Sequence, residues 1–265
     1  MDFCTIASGS SGNCTYVGSD HTALLVDAGI TGKRIADGLH AIDRDPSQIH
    51  AVLVTHEHSD HIRSLGILAR KYHLPMYGTP GTMDYVMHCS QMGYIDPSLI
   101  HLIMPDEPFS IGDLEIEGFR IRHDAAQPCG YRISSGGHSM AIATDMGCYD
   151  EYTVEHLQGL DGIILEANHD VNMLQAGPYP YPLKRRILGQ LGHLSNESAG
   201  ALLCEILHDD MKQIVLGHLS KENNYEALAF AAVHTEITMG DNPYHGDDFN
   251  IEVARRDEPG QLHSV

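Results

Sequence analysis

Residues 55–61 read Thr55-His56-Glu57-His58-Ser59-Asp60-His61, directly after the apolar run Ala51-Val52-Leu53-Val54 and directly before a helix-like stretch. A short apolar run of this kind reads as a buried strand whose carboxyl end opens into a loop. On extended backbone His56 and His58, two residues apart, project from the same side, as one metal ion would require. Asp60 and His61 then fall on the first turn of the following helix, aimed at a neighbouring position. The stretch therefore divides into two ligand sets, His56 with His58 and Asp60 with His61, for a pair of ions. A loop that only had to start a helix would need a single capping acid and no histidines.

Working outward, β-rich runs at 3–7, 14–18 and 22–27 precede the cluster. A helix is predicted from about Thr31 to Ile42, with Ile35, Leu39 and Ile42 on one face. Ile62, Leu65, Ile67, Leu68 and Ala69 outline a second helix starting near Asp60, and Thr79-Pro80 is a natural start for a third. From Leu114 the alternating LEIEGFRIR marks a strand, and GIILEA at 162–167 and QIVLG at 213–217 read as buried strands. Ser195 or Asn196 caps a helix to about His208, and another spans Glu222 to about Val233. A last strand at 249–254 and a polar tail from Arg255 close the chain. Two strand-rich halves, each followed by helices, suggest an α/β protein of the four-layer αββα type. No linker or long repeat interrupts the order, so residues 1–265 are expected to form a single domain.

The formal net charge is −20, from 36 acidic against 16 basic residues, so a polyanionic partner would have to be drawn in locally. Six cysteines without a C-x-x-C pair, and no leader-like start, predict free thiols in the cytoplasm. The apolar runs fall far short of the roughly 20 residues that cross a bilayer. No membrane or obligate protein partner is expected.

HEHSDH resembles the metal motif of the metallo-β-lactamase fold, an αββα sandwich shared by lactamases, thioesterases, lactonases, phosphodiesterases and nucleases. The resemblance implies the rest of the ligand set. His123, ahead of Gly130-Tyr131-Arg132, is similar to a ligand histidine of the tRNase Z group. Asp145, ending a buried strand, resembles the bridging aspartate, and His218 the last metal histidine. Asp27 matches the early aspartate that orients a ligand histidine. An alternative role for Asp27 and Asp145 is to cap the helices that follow. In LEANHD at 165–170, Glu166 and His169 resemble the segment that pairs with a downstream histidine in tRNase Z relatives. His193 resembles the proton donor that phosphodiesterases place near the scissile phosphate; it lies beside a helix start, where backbone N–H groups favour an anion, and a plain helix-entry role is the alternative.

Substrate class must come from residues beyond the ligands. Ser10, Ser11 and Asn13 lie in a Gly/Ser loop able to present donors to an anion, although a tight β-hairpin explains the loop equally well. Lys184 and Arg185 belong to the densest basic run of an acidic chain, which could also be a solvated helix face, and Ser195 follows His193 at the helix start. Taken in order, SGSSGN, THEHSDH, HDAAQPCGYRI, LEANHD, GPYPYPLKRRI and GHLSN resemble the YycJ/WalJ family of metallo-β-lactamase-fold proteins. That resemblance implies a dinuclear phosphodiesterase acting on DNA ends as a 5′-to-3′ exonuclease. Two divalent ions, Mn2+ or Zn2+ with iron an alternative, would share a hydroxide nucleophile, with Asp60 and His193 in catalytic roles. The alternative is a small-molecule hydrolase, either a nucleotide phosphodiesterase or a thioesterase/lactonase, on the same fold.

Overall fold

The computed structural model describes every residue from Met1 to Val265. Its strands are β1 (Asp2–Ala7), β2 (Cys14–Gly18), β3 (Ala23–Val26), β4 (Ala51–Leu53), β5 (Met76–Gly78), β6 (Ile100–Leu102), β7 (Phe109–Ile111), β8 (Leu114–Arg120), β9 (Cys129–Ser135), β10 (His138–Ala143), β11 (Gly162–Glu166), β12 (Gln213–Gly217), β13 (Ile251–Val253) and β14 (His263–Ser264). The helices are α1 (Gly32–Ala41), α2 (Ser59–Ile62), α3 (Leu65–Tyr72), α4 (Pro80–His88), α5 (Glu151–Leu157), α6 (Val171–Ala176), α7 (Tyr181–Ile187), α8 (Asn196–Ile206) and α9 (Glu226–Met239). They form two compact units, one of Met1–Arg120, Ala125–Gly137 and Arg255–Ser264, the other of Ile121–Asp124, His138–Ala254 and Val265.

In the first unit a seven-stranded sheet runs in the order β14-β1-β2-β3-β4-β5-β6. Its β1, β2 and β3 pair antiparallel, whereas β3, β4, β5 and β6 pair parallel. Ile35 and Leu39 of α1, Leu65 and Leu68 of α3, and Met83 and Val86 of α4 join Ile6, Leu25, Val52 and Met76 in one core. Leu24 and Leu53, alternate in register, are buried too, as expected of strands covered on both faces. The antiparallel β7, β8 and β9 belong to the same unit. Fully buried Tyr131 of β9 donates its hydroxyl to the Val54 carbonyl at 2.8 Å, and the Cys129 amide donates to Thr55 at 3.0 Å. Both bonds fasten the segment that leads into His56.

The second unit is built on the parallel strands β10, β11, β12 and β13. The amino ends of β10, β11 and β12 are tied together by Asp161. Its carboxylate accepts from the Ser139 amide at 2.9 Å and faces the His138 ring at 3.0 Å and the Lys212 ammonium at 3.0 Å. Its carbonyl accepts from the Lys212 amide at 2.8 Å. The register of three neighbouring strands is thus set at one end, which leaves the other end for loops.

Three elements depart from the sequence reading. The helix expected from Asp60 is broken into α2 and α3, because Ser64 leaves helical geometry to donate its amide to Ala28 at 2.8 Å and its hydroxyl to Ile30 at 2.6 Å. Ile67, counted in its apolar stripe, is 47% exposed. The helix expected from Glu222 starts at Glu226 instead, since buried Asn224 donates to the Ala167 and Asn168 carbonyls and holds the preceding segment as a loop. The polar tail is in part a strand: β14 pairs with β1, aligning Ser264 with Asp2.

Burial alone would raise the Asp161 pKa, but His138, the Ser139 amide and Lys212 bring it from 3.8 down to about 2. The depressed value means that the stabilisation is present above pH 3.8 and fades as pH falls toward 2. Asp161→Asn should cost about 1 kcal/mol at pH 7 after allowing for solvent screening. The difference from wild type should narrow at pH 3, as read by urea unfolding at both pH values.

Candidate metal centre

In each unit, the residues that matter stand at the carboxyl ends of adjacent parallel strands, where open α/β sheets place their ligands. In the first unit the strands are β3 and β4. Asp27 follows β3 with φ 63°, in the left-handed region that non-glycine residues rarely occupy. That turn brings its carboxylate back onto the end of β4. Asp27 Oδ1 accepts from the Thr55 amide at 2.9 Å, and Oδ2 accepts from the Thr55 hydroxyl at 2.8 Å. Oδ2 also lies 2.7 Å from His61 Nδ1.

These bonds decide which ring nitrogens are available. A carboxylate can only accept, so His61 Nδ1 carries the proton and Nε2 keeps its lone pair. Asn13 Nδ2, 3.0 Å from that Nε2, donates to it consistently. The Thr55 hydroxyl has spent its proton on Asp27, so its oxygen accepts from His56 Nδ1 at 3.0 Å. His56 therefore also presents Nε2. Both rings are completely buried. Ring centroids lie 4.6 Å apart for His56 and His58 and 4.1 Å apart for His56 and His61. Asp60 Oδ2 lies 3.6 Å from His61 Nε2. That is long for a hydrogen bond but suited to two ligands each about 2.0–2.2 Å from a shared ion.

In the second unit Glu166 ends β11, and Asp145 and His218 follow just beyond β10 and β12. Asp145 and His218 again have left-handed backbones, with φ 60° and 54°. Asp145, Glu166, His193 and His218 lie close enough to form a possible metal-ligating group. Asp145 Oδ1 sits 3.5 Å from His218 Nε2 and 3.8 Å from His123 Nε2, again the spacing of co-ligands. His123 Nδ1 donates to the Gly192 carbonyl at 3.0 Å, so His123 too offers Nε2.

Glu166 organises this group. Its Oε1 faces His193 Nδ1 at 2.8 Å and His218 Nδ1 at 2.9 Å, while Oε2 accepts from the Met146 amide at 2.7 Å and the Leu194 amide at 3.2 Å. Four donors use its lone-pair directions, which compensates the several kcal/mol that burying a bare carboxylate would cost. Burial alone would raise its pKa, but the His193 and His218 rings hold it below the usual carboxylate range. In turn, burial would lower the His193 pKa, and the Glu166 charge and hydrogen bond lift it above the ordinary value. The two histidines differ in access, since the His193 side chain is 16% exposed and that of His218 only 3%.

Asn13 is buried, its Oδ1 accepting from the Gly9 amide at 2.8 Å and its Nδ2 facing His61. Ser10 and Ser11 are exposed. Lys184 is spent on the carbonyls of Gln175 and Gly177, each at 2.7 Å, while Arg185 lies over the Tyr181 ring. Ser195 caps α8 by accepting from the Ser198 amide at 3.1 Å. His169 is buried with neither ring nitrogen hydrogen-bonded, and burial lowers its pKa to about 4, so its ring is neutral. Thr55, which connects Asp27 to His56, was not singled out in the sequence. Its partner lies 28 positions away, and only the proximity of the β3 and β4 ends shows the link.

Residues 22–219 match the beta-lactamase superfamily domain. The exodeoxyribonuclease WalJ of Streptococcus pneumoniae serotype 2 is 40% identical over 246 residues, covering 93% of this chain and 91% of the relative. The exodeoxyribonuclease YycJ of Bacillus anthracis is 39% identical over 233 residues, covering 88% of each. The chain belongs to the WalJ/YycJ branch of the metallo-β-lactamase-fold superfamily. Among solved structures, the metallo-β-lactamase-fold protein YhfI of Bacillus subtilis superposes with a TM-score of 0.70 at 16% identity, over 99% of both chains. Zn2+-bound PqqB of Methylobacterium extorquens gives 0.71 at 18% identity, over 99% of this chain and all of that one. The fold of this WalJ/YycJ relative is therefore the αββα metallo-β-lactamase sandwich. Its buried histidines with proton-bearing Nδ1 and its carboxylates are the donors that a dinuclear Zn2+ or Mn2+ site requires, and the protein is a metal-dependent hydrolase. No helix is long and apolar enough to cross a membrane.

Asp27→Asn keeps the volume but can no longer accept from both Thr55 and His61 as a carboxylate does. Metal affinity should fall about 10–100-fold, measured by competition with a chromophoric chelator. Undiminished affinity would show that the ring orientations do not depend on Asp27.

Proposed function

We propose that the protein is a dinuclear 5′-to-3′ DNA exonuclease acting on phosphodiester bonds at strand ends. The observation that carries this reading is the pairing of a complete His/Asp donor set with nearly full-length likeness to two exodeoxyribonucleases. In the first unit His56, His58, Asp60 and His61 would hold metal, and in the second His123, Asp145 and His218. Bound ions of this kind activate water as the nucleophile and stabilise the leaving oxygen. Residues 1–265 would act as one functional domain; the family match runs across both compact units. Six free cysteines are in keeping with a reducing cytoplasm.

The chain's own groups would divide the remaining work. Asp27, through Thr55, holds the His56 and His61 rings in the tautomer that offers Nε2. Glu166 does the same for His218 and fixes His193 with its Nδ1 proton engaged. In its protonated form His193 carries a second proton at Nε2, and its partial exposure suits it to pass that proton to a departing sugar oxygen.

End-labelled DNA digested over a metal panel tests this directly. Shortening from 5′ ends is expected with Mn2+ and should be abolished by Asp145→Ala. Cleavage of a small diester with DNA ends untouched would favour the small-substrate reading, in keeping with the net charge of −20. His193→Ala should lower kcat by about 10²–10⁴-fold with metal content unchanged, whereas His218→Ala should lose metal. The opposite pattern would mean that the two roles are reversed.

A further inference from the structure

Beside Asp60, within the first unit, lies a cavity of about 450 Å3 that the metal-site description leaves unused. Its size falls in the usual range for small-molecule pockets, about 300–1,000 Å3. Ser10, Ser11, Asp60, Arg63, Tyr85 and Gln91 line it. Arg63, just past the end of α2, is the one cation on its wall. It is exposed, and its guanidinium enters no hydrogen bond or ion pair. Elsewhere in this unit Arg34 pairs with Asp257, Arg44 with Asp2, Arg120 with Asp106 and Arg255 with Glu258. In a chain with 36 acids to 16 bases, an arginine left unspent on a concave wall is conspicuous.

The serine turn on the wall is tied down by its backbone. Ser10 and Ser11 form the tip of a turn closed by Gly12 N–H to Gly9 at 2.9 Å, and the Asn13 amide fastens it to the Asp60 carbonyl at 2.8 Å. Gly29 packs against the same carbonyl so closely that a Cβ there would lie 1.6 Å from it. Two exposed hydroxyls are therefore held at a fixed place relative to Asp60. Tyr85 of α4, 50% exposed, adds an aromatic surface of the kind on which any base can stack. Glu57, the other acid on the wall, is already engaged with the Ala126 amide at 2.6 Å.

We propose that this cavity is a nucleotide subsite, which takes the terminal deoxynucleotide of the strand being degraded. Tyr85 stacks on the base, and Arg63 with the Ser10 and Ser11 hydroxyls receives a phosphate. Stacking without a full set of base-edge contacts makes the subsite tolerant of sequence. The proposal rests on the phosphodiesterase reading.

The Mn2+-loaded full-length protein is titrated calorimetrically with dAMP, deoxyadenosine and inorganic phosphate. dAMP should bind more tightly than either fragment. Arg63→Ala should weaken dAMP about 10-fold or more, removing its advantage over deoxyadenosine, because a charged phosphate contact is lost. Tyr85→Ala should weaken dAMP and deoxyadenosine by roughly 5- to 100-fold, the range for loss of base stacking. Tyr85→Phe should retain wild-type affinity, and matching thermal midpoints would establish that the variants are folded. Wild-type affinity for dAMP in Arg63→Ala or Tyr85→Ala, or dAMP binding no tighter than phosphate, would overturn the subsite. Since binding is read without turnover, intact nucleotide binding with uncut DNA would count against the exonuclease reading alone. Cut DNA with variant-insensitive binding would count against the subsite alone.

Discussion

A histidine can hold a cation only through a nitrogen that has no proton, and the rest of the site depends on how this chain enforces that. Two buried carboxylates do it. Asp27 accepts from His61 and, by consuming the Thr55 proton, makes Thr55 an acceptor for His56. Glu166 accepts from His193 and His218 together. Each carboxylate is tolerated in the interior because backbone amides share the load, Thr55 for the first and Met146 with Leu194 for the second. The arrangement is economical in sequence, since one acid orients two imidazoles in each unit.

Much of this could be read from the sequence, and the boundary has a physical cause. THEHSDH is legible because it puts three histidines and two acids within seven residues directly after the buried strand β4, although His56 and His58 lie in the loop at 54–58 and not on the strand that the spacing implied. The buried strands carrying Asp145 and His218 are continuous apolar runs, legible without any partner. What stayed hidden depends on contacts between distant segments. Ser64 breaks a helix because it is bonded to the loop after β3, Asn224 delays another because of carbonyls after β11, and a two-residue strand such as β14 has no periodicity to detect. The Gly/Ser loop was recognised but its members were not distinguishable. Asn13 turns inward to His61, whereas Ser10 and Ser11 remain at the surface.

Charge follows the same division between local and distant information. The run Lys184-Arg185-Arg186 looks like a basic patch on paper, yet Lys184 clamps two carbonyls and Arg186 pairs with Asp124. Arg63, an isolated residue with no neighbouring cation in sequence, is the one left unpaired beside Asp60. Of the basic run only Arg185, exposed and over the Tyr181 ring, has a side chain that enters no ion pair or hydrogen bond, so a count of bases along the chain overstates its availability.

The knot around Asp161 has a consequence for how such a protein can change over generations. It binds the starts of three strands through one carboxylate and a few amides, far along the strands from Asp145, Glu166 and His218. Mutations that lengthen or rewrite the loops at the carboxyl ends leave that alignment untouched. Drift in the loops is thus uncoupled from drift in the scaffold, and a lineage can explore new substrates without first having to survive a misaligned sheet.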